Sequence, residues 1–405
     1  MEKFAPDRDA VGALWMKILR SPHPHARIKG INTTRVLALP GVEAVVTHED
    51  APRKEIRCRI FNWKGRVLDS RVRFIGEEVA AVAAETEAIA SKALDLIEVE
   101  YEVLPAVFDM EEALKPGAPD VSGVGTNKVS CPPEPSTRLS FQKWGDVEEG
   151  FAKASAIVEH ETRTQRVYGS FFPPACIAEW EGDKLTVMLS HQCPYNVRSS
   201  TAEVFDMTEH KVRIIAPLVA ATQGMLNSSQ RFWNIAALLS RKSGRPVIYK
   251  MTIEEYGVYK SREADIMRVK MGGEKDGTVT ALDYWQVHDN GGYGWKTAVC
   301  LSGHEIFREA SVIYNAYGAC TNKFSTGCNR SPGNTPQTIS LNQTFDMLLE
   351  RLGLDPVPAW KKNHFRTGDP VSRRGAAGRT LSSEAYDELI DKGAEAIGWK
   401  EKWRG

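Results

Sequence analysis

The sequence predicts an α+β fold spread over more than one domain. Short β-rich runs alternate with helical patterns along the chain, and 42% of its 405 residues are of hydrophobic types. A chain of this length exceeds the size at which a single hydrophobic core stops growing, so two or more domains are expected. Residues 112–141 are rich in Pro, Gly and Ser, which is typical of an extended linker on the surface.

Residues 1–111 form the first predicted domain. Their β-rich runs predict strands at 42–46, 78–82 and 97–101. A helix is predicted over 87–96, where Thr86 is a suitable N-cap for the first turn. Short strands combined with one helix indicate an α+β domain at the start of the chain.

Residues 142–375 form the second predicted domain, and residues 376–405 form a C-terminal helical tail. Strands are predicted at 162–167, 176–179 and 185–189. Helices are predicted at 147–154, 200–205, 232–242, 341–352 and, in the tail, 383–397. Gly353 is expected to end the fourth of these helices, because glycine readily adopts the left-handed conformation common at helix ends.

Composition excludes several classes of partner. Lys plus Arg equals Asp plus Glu at 52 each, so no net charge favours nucleic acid or an anionic membrane surface. The sequence has no run of about eighteen apolar residues, so no membrane span is predicted. The first residues lack the apolar core of a secretion signal, which together with the cysteine pattern predicts a cytoplasmic protein.

The spacing of cysteines and histidines predicts no metal site built from side chains. The seven cysteines contain no C-x-x-C pair and are odd in number. This pattern argues against a zinc ribbon, an iron–sulfur cluster and a full set of disulfides. His25 has no carboxylate or thiolate at ligand spacing and is predicted to support local packing. His288, beside Asp289, is predicted to be a core histidine rather than a base.

The most informative segment is an apolar run, Lys211–Val219, that leads into the small-residue turn Ala220–Leu226. A helical pattern starts soon afterwards at Phe232. Backbone N–H groups approach an anionic ligand most closely where side chains are small, so the turn is a candidate ligand site. It keeps one glycine, Gly224, where a tight cradle would need several. A strand-to-helix turn without a ligand is the alternative interpretation.

Further motifs follow one another along the chain. They include Leu19-Arg-Ser-Pro-His-Pro-His-Ala-Arg-Ile28, Val72-Arg-Phe-Ile-Gly-Glu-Glu-Val-Ala-Ala-Val82, Trp144-Gly-Asp-Val147, Asp289-Asn-Gly-Gly-Tyr293, Arg330-Ser-Pro-Gly333 and Leu352-Gly-Leu-Asp-Pro356. Together with the apolar run and its turn, they resemble the catalytic subunits of molybdenum hydroxylases, the xanthine dehydrogenase and aldehyde oxidase family. The resemblance spans nearly the whole chain. It implies an α/β-hammerhead-like N-terminal domain without chemistry of its own, followed by the first part of a molybdopterin-binding α+β domain.

The resemblance also implies site residues. Gln192, after a strand, matches a family glutamine that contacts the oxo ligand of the metal, and a carboxamide donates a hydrogen bond there without adding charge. Arg330 matches a family arginine, and its guanidinium offers a planar fork for a carboxylate or keto oxygen of a substrate. The alternatives are an ordinary glutamine at a strand end and a surface arginine in a turn.

The resemblance implies cofactor contacts from Ala221, Thr222, Gly224 and Met225 within the turn, and outside it from Arg330 as well as Gln192. Gln223 stands where the family has a bulky aromatic residue, which implies a more polar pocket than one for purines or simple aldehydes. Two family glycines are replaced by Ala220 and Ala221, and each replacement restricts positive φ. The turn is therefore expected to be reshaped or strained.

The function implied is that of one subunit of a molybdenum-dependent hydroxylase or dehydrogenase. In this family a metal-bound hydroxide attacks an electrophilic carbon of a small organic substrate, and a pterin rather than the protein holds the metal. Family subunits are usually much longer. The resemblance therefore implies the N-terminal half of a split catalytic subunit, which shares the molybdopterin cofactor with a second-half subunit and passes electrons to 2Fe-2S and FAD subunits. The altered turn leaves two alternatives: a hydratase or reductive dehydroxylase, and a cofactor-free structural half-subunit.

Overall fold

A computed structural model of the chain describes residues 3–54, 56–57, 64–129, 140–167, 172–219, 231–293, 307–327, 333–370 and 380–403. The strands within these residues are β1 Leu14–Arg20, β2 Ala26–Asn32, β3 Val42–Val46, β4 Ile56–Arg57, β5 Lys64–Gly65, β6 Arg71–Val72, β7 Glu78–Ala84, β8 Glu98–Val103, β9 Lys128–Val129, β10 Ser140–Trp144, β11 Ala156–Arg163, β12 Ala175–Glu181, β13 Lys184–Leu189, β14 Val212–Ile215, β15 Val247–Lys250, β16 Ala264–Gly273, β17 Val279–Gly291 and β18 Ser311–Cys320. The helices are α1 Thr34–Leu37, α2 Glu87–Leu94, α3 Met110–Ala113, α4 Val147–Lys153, α5 Pro194–Val204, α6 Phe232–Ser243, α7 Ile253–Gly257, α8 Asn334–Leu352, α9 Pro356–Asn363, α10 Tyr386–Ala396 and α11 Trp399–Lys402.

The largest sheet has seven strands in the order β14-β13-β12-β15-β1-β7-β3. Strand β1 pairs antiparallel with β7 and parallel with β15, so strands from the N-terminal part and from the middle of the chain share one sheet. Strand β7 is buried along its whole length, as expected of a strand covered on both faces. At the far edge, β13 and β14 run parallel.

Helix α6 covers this sheet. Its residues from Phe232 to Ser240 are all buried, because the helix is apolar around most of its circumference and packs against β12, β15 and β3. Gly244 ends the helix in the left-handed conformation, at φ +68°. The packing of α6 also fixes the position of Arg231, the residue that directly precedes it.

The second large sheet has six strands, β10-β18-β17-β16-β11 with β9 paired to β18. Helix α8 packs on β16 and β11 and buries Leu341 and Phe345, as the predicted apolar face requires. Gly353 ends α8 at φ +68°, which confirms the predicted stop. The helix begins at Asn334, earlier than predicted. Its first turns bury polar residues such as Gln337, so the apolar pattern did not reveal them.

The predicted domain boundaries stay predictions. Within the predicted linker 112–141, β9 pairs antiparallel with β18. In the predicted tail, Asp387 of α10 lies 2.8 Å from His364, the residue that follows α9. Across the described part of the chain, no helix combines the length and apolar content that a membrane span requires.

Gly291, at the end of β17, is expected to be intolerant of substitution. It has φ +69°, and an added Cβ would lie 2.3 Å from the carbonyl oxygen of Phe324. We expect Gly291→Ala to lower the free energy of unfolding by about 2–4 kcal/mol, because left-handed backbone and steric overlap both add strain. Chemical denaturation measures the change. Gly30→Ala is the control, since nothing lies within 4 Å of its added Cβ. Equal stability of the two variants would contradict the prediction.

Candidate functional site

The predicted site residue Gln192 lies at the edge where β13 and β14 end. These strands run parallel, with Met188 opposite Ile215, so the segments that follow them leave the sheet side by side. Ser190 Oγ donates a hydrogen bond of 2.8 Å to the carbonyl of Leu218 and joins the two segments. The exposed Gln192 therefore lies close to the start of the predicted turn.

The segment that carries Gln192 also contacts α6. The imidazole of His191 packs edge-on against Trp233, with ring centroids 5.7 Å apart. Its Nδ1 accepts the backbone N–H of Cys193 at 3.0 Å. Trp233 is buried and donates to Thr201 at 3.1 Å. The two residues before Gln192 thus contact the segment that follows β14 and the helix α6, through Ser190 and His191 respectively.

The other predicted site residues lie outside the described residues. They are Ala221, Thr222, Gln223, Gly224, Met225 and Arg330. Their roles stay predictions. The structure describes the residues on either side of the two segments that contain them, 220–230 and 328–332.

Arg231, the first described residue after segment 220–230, is held by two carboxylates of the N-terminal part. Its Nη1 lies 3.0 Å from Glu77 Oε1 and 2.9 Å from Glu78 Oε2, and all three side chains are at most 4% exposed. A buried guanidinium requires such partners, because an unpaired buried charge is strongly destabilising. Burial opposes the charge, but Tyr293, Glu77 and Glu78 outweigh it and hold the pKa of Arg231 above its ordinary value.

Tyr293 completes what we call the Arg231 cluster: Arg231, Glu77, Glu78 and Tyr293. The tyrosine hydroxyl donates to Glu77, and the Arg231 guanidinium lies 4.3 Å from the ring centroid. Arg73 lies 4.9 Å from the same centroid and donates its backbone N–H to Glu77 at 2.5 Å. Sequence reasoning missed this cluster, because its members are far apart in the chain.

A small cavity lies beside the Arg231 cluster and extends to Ser325. Its lining residues are Phe74, Glu78, Arg231, Tyr259, Lys260, Tyr293 and Ser325. Arg231 directly follows segment 220–230 and Ser325 lies shortly before segment 328–332, so residues flanking both segments face one cavity. Lys260 is buried as well, so the lining combines two cationic side chains with the carboxylate of Glu78, which pairs with Arg231.

Both ends of segment 328–332 are bonded to residues that precede β16. The N–H of Gly327 donates to the carbonyl of Ser261 at 2.8 Å, and the N–H of Gly333 donates to Glu263 Oε1 at 2.9 Å. Glu263 is fully buried, so this bond is shielded from water. Sequence reasoning missed Glu263, because its charged neighbours Arg262 and Asp265 give no local sign of its burial.

Glu263 belongs to a buried polar group with Asp265 and His288. The imidazole pairs with Asp265 through Nδ1, and Gln286 donates to the same carboxylate at 3.1 Å. His288 is therefore a buried, paired core histidine, as predicted. Burial, reinforced by Asp265, raises the pKa of Glu263. Burial opposes a charge on His288, but Asp265 and Glu263 outweigh it and raise its pKa.

This buried group makes the stability pH-dependent. A group whose pKa rises on folding stabilises the fold below its unfolded pKa, and that contribution is lost as pH rises through the folded pKa. Glu263 and His288 both have raised pKa values, so we expect their contribution to the free energy of unfolding to fall as pH rises above the ordinary pKa values of about 4.3 for glutamate and about 6.5 for histidine.

Urea unfolding of Glu263→Gln across this pH range is expected to give a flatter slope, because the glutamine cannot titrate. Tyr314→Phe is the control. It removes a hydroxyl that donates to Gln286 at 2.9 Å in the same network, and it should keep the slope of the parent protein. An unchanged slope in Glu263→Gln would show that this carboxyl does not titrate differently on folding.

The polar side chains around the Arg231 cluster and Glu263 bind one another through hydrogen bonds and ion pairs. Within the described residues, no group of three or more His, Cys, Asp or Glu side chains is placed to hold a metal ion. His25, predicted to support packing, is buried, and its Nδ1 lies 2.6 Å from the carbonyl oxygen of Pro105. The described part of the candidate site therefore combines buried carboxylates with the cationic side chains and hydrogen-bond donors that they bind.

Two family models match the chain. Residues 131–364 match the molybdopterin cofactor-binding domain, and residues 2–105 match the aldehyde oxidase and xanthine dehydrogenase a/b hammerhead domain. A probable xanthine dehydrogenase subunit of Bacillus subtilis (strain 168) is 30% identical over 420 residues, which cover 100% of this chain and 55% of that protein. The nicotinate dehydrogenase large molybdopterin subunit of Eubacterium barkeri is 28% identical, with 98% of this chain and 93% of that protein covered.

Solved structures show the same similarity. Quinoline 2-oxidoreductase from Pseudomonas putida 86 superposes with a TM-score of 0.87 at 26% identity, and the match covers 98% of this chain and 52% of that one. The chain thus spans about half the length of this structure and of the first curated relatives it matches.

Proposed function

The chain belongs to the xanthine dehydrogenase and aldehyde oxidase family of molybdenum hydroxylases, and on this basis we propose that it forms one side of a molybdopterin pocket. The predicted fold, a hammerhead-like domain followed by the first part of a molybdopterin-binding α+β domain, is confirmed by the matching family models and solved structure. The observation that carries the proposal is the common edge of β13 and β14, where Ser190 joins the Gln192 segment to Leu218.

The described residues at this edge suit a molybdopterin-type cofactor. A pterin cofactor brings its own sulfur ligands for the metal and requires hydrogen-bond donors and positive charge from the protein. Gln192 presents an exposed carboxamide, which is a neutral donor. Lys260 adds a buried cation to the lining of the cavity beside Arg231, whereas the charge of Arg231 itself is balanced by Glu77 and Glu78.

The residues divide between cofactor and substrate. When bound, the cofactor supplies the oxidising centre that hydroxylates an electrophilic carbon. We assign its orientation to Gln192, Ala221, Thr222, Gly224 and Met225. Arg330 binds a carboxylate or keto oxygen of a small organic substrate, and Gln223 makes that pocket polar. Hydration or reductive dehydroxylation stays the alternative reaction, because Ala220 and Ala221 restrict the turn.

The remaining side of the pocket comes, in this proposal, from a second molybdopterin-binding polypeptide. One fact supports it: the nicotinate dehydrogenase large molybdopterin subunit of Eubacterium barkeri is covered over 93% of its length, so a molybdopterin subunit of this extent occurs. In this proposal electrons leave through separate 2Fe-2S and FAD subunits, since the seven cysteines of the sequence are not grouped as a cluster requires.

Metal and pterin analysis of the complex purified through this chain tests the proposal. We expect about one molybdenum and one pterin per copy of this chain, and neither in the chain expressed alone, because half of the pocket is then missing. A correctly assembled complex without molybdenum would overturn the proposal in favour of the cofactor-free structural half-subunit. Tightly bound pterin on the chain alone would overturn the shared pocket.

A further inference from the structure

We propose that the Arg231 cluster is a positioning device: through Glu77 and Glu78, the N-terminal domain fixes the end of the cofactor segment 220–230. The inference rests on the proposed function, because it gives that segment its role. It gives two residues of the N-terminal domain a role at the cofactor site, whereas the family resemblance implies a domain without chemistry of its own.

The first support is that Arg231 is held at both its backbone and its side chain. Its N–H donates to the hydroxyl of Tyr259 at 3.4 Å, a weak bond, while its guanidinium is bonded to Glu77 and Glu78 at 3.0 and 2.9 Å. The following residue, Phe232, starts the buried helix α6. Arg231, the residue that follows segment 220–230, therefore has little freedom to move.

The second support is the rigidity of the element that carries the carboxylates. Glu78 is the first residue of β7, which is paired on both sides in the seven-stranded sheet. Arg20 on β1 donates to the carbonyl of Gly76 at 2.9 Å and lies 3.9 Å from Glu78. Functional groups are held most accurately when their supports stand on such strands.

The third support is energetic. A buried ion pair gains little stability over well-packed apolar residues, because desolvation offsets most of the attraction. The ion pairs instead restrict the position of the side chain, since a guanidinium shared by two carboxylates has few alternative positions. Stacking on Tyr293, with the guanidinium 4.3 Å from the ring centroid, restricts it further. The cluster therefore suits the placement of a neighbouring segment better than general stabilisation.

The test compares Arg231→Met, Arg231→Lys and Glu78→Gln in the assembled complex. Arg231→Met leaves two buried carboxylates without this cation, and we expect about a tenfold loss of bound molybdenum per complex. Backbone amides 220–230 should also exchange hydrogen at least about tenfold faster in complex prepared without cofactor. Arg231→Lys keeps the charge and should retain most of the molybdenum. Glu78→Gln is the milder change, because it leaves Arg231 bonded to Glu77. It should shift both readouts in the same direction.

Asn363→Ala is the matched structural control. Asn363 is buried and bonds the backbone at Val279, at the opposite end of β17 from Gly291 and Tyr293. It should lower the melting temperature without changing molybdenum content or exchange at 220–230. If Arg231→Met and Glu78→Gln behave like Asn363→Ala, the cluster is structural only and the inference is wrong. If the parent complex itself lacks molybdenum, the proposed function fails, while the exchange measurement still decides the positioning role.

Discussion

Arg330→Ala is expected to lower kcat/KM about 10- to 100-fold while the molybdenum content of the complex stays unchanged. The predicted role of Arg330 is a charge-assisted hydrogen bond to the substrate, and such bonds contribute about 1.5–3 kcal/mol. The residues on either side of its segment, Gly327 and Gly333, are bonded to Ser261 and Glu263. Those anchors do not involve the Arg330 side chain, so its removal should leave the fold intact.

Steady-state kinetics with the true substrate, together with metal analysis, measure this effect. Arg35→Ala is the control, because Arg35 is 64% exposed in the N-terminal part and pairs only loosely with Glu98. It should leave both readouts unchanged. Kinetics of Arg330→Ala that match those of Arg35→Ala would remove Arg330 from the substrate site. A loss of molybdenum in Arg330→Ala would instead assign it to cofactor binding.

Asp289→Ala is expected to lower the free energy of unfolding by about 3–5 kcal/mol, the range for breaking a buried charge network. The fully buried carboxylate lies 2.8 Å from Arg166 and 3.0 Å from Lys323, and it accepts from Thr321 and from the N–H of Gly291. Burial alone would raise the pKa of Asp289, but Arg166 and Lys323 outweigh it and lower it. Removing the carboxylate leaves the largely buried Arg166 without its counterion.

Equilibrium denaturation measures the loss. Asp183→Ala is the matched control, because Asp183 also pairs with a cation, Lys211, but is 67% exposed. Exposed ion pairs contribute little, so its denaturation midpoint should not move. A midpoint for Asp289→Ala equal to that of Asp183→Ala would mean that water or another residue takes over the solvation of Arg166.

Local signals predicted several elements well. The run 42–46 matches β3, Val42–Val46. Thr86 caps α2 by accepting the N–H of Ile89 at 3.2 Å, as expected for a threonine before a helix. The strand predicted at 162–167 lies earlier, at Ala156–Arg163. Its charged residues are balanced across the sheet, for example Glu161 by Arg268 on β16, and no local pattern reveals such pairing.

For the candidate site, too, some contacts could be predicted from the sequence and others could not. The family resemblance brought Gln192 and the turn together, and the parallel pairing of β13 and β14 supports that proximity. Glu77 and Arg231 are 154 positions apart, and their contact depends on how two parts of the chain pack. Burial of Glu263 likewise follows from tertiary packing, because its own sequence neighbours are charged or small. Long-range polar contacts of this kind are outside the reach of periodicity and spacing.

The shared seven-stranded sheet limits how this protein can be divided or recombined. Removing residues 1–111 would take away β1, β7 and β3 and leave β15 as an exposed strand edge. Unpaired edges of that kind recruit other chains, so the truncated product should aggregate rather than fold alone. Exchange of the N-terminal region between relatives would succeed only when the donor preserves the β1–β15 register, in which Leu14 faces Val247. The two regions must therefore change together in evolution if the backbone hydrogen bonds between β1 and β15 are to be kept.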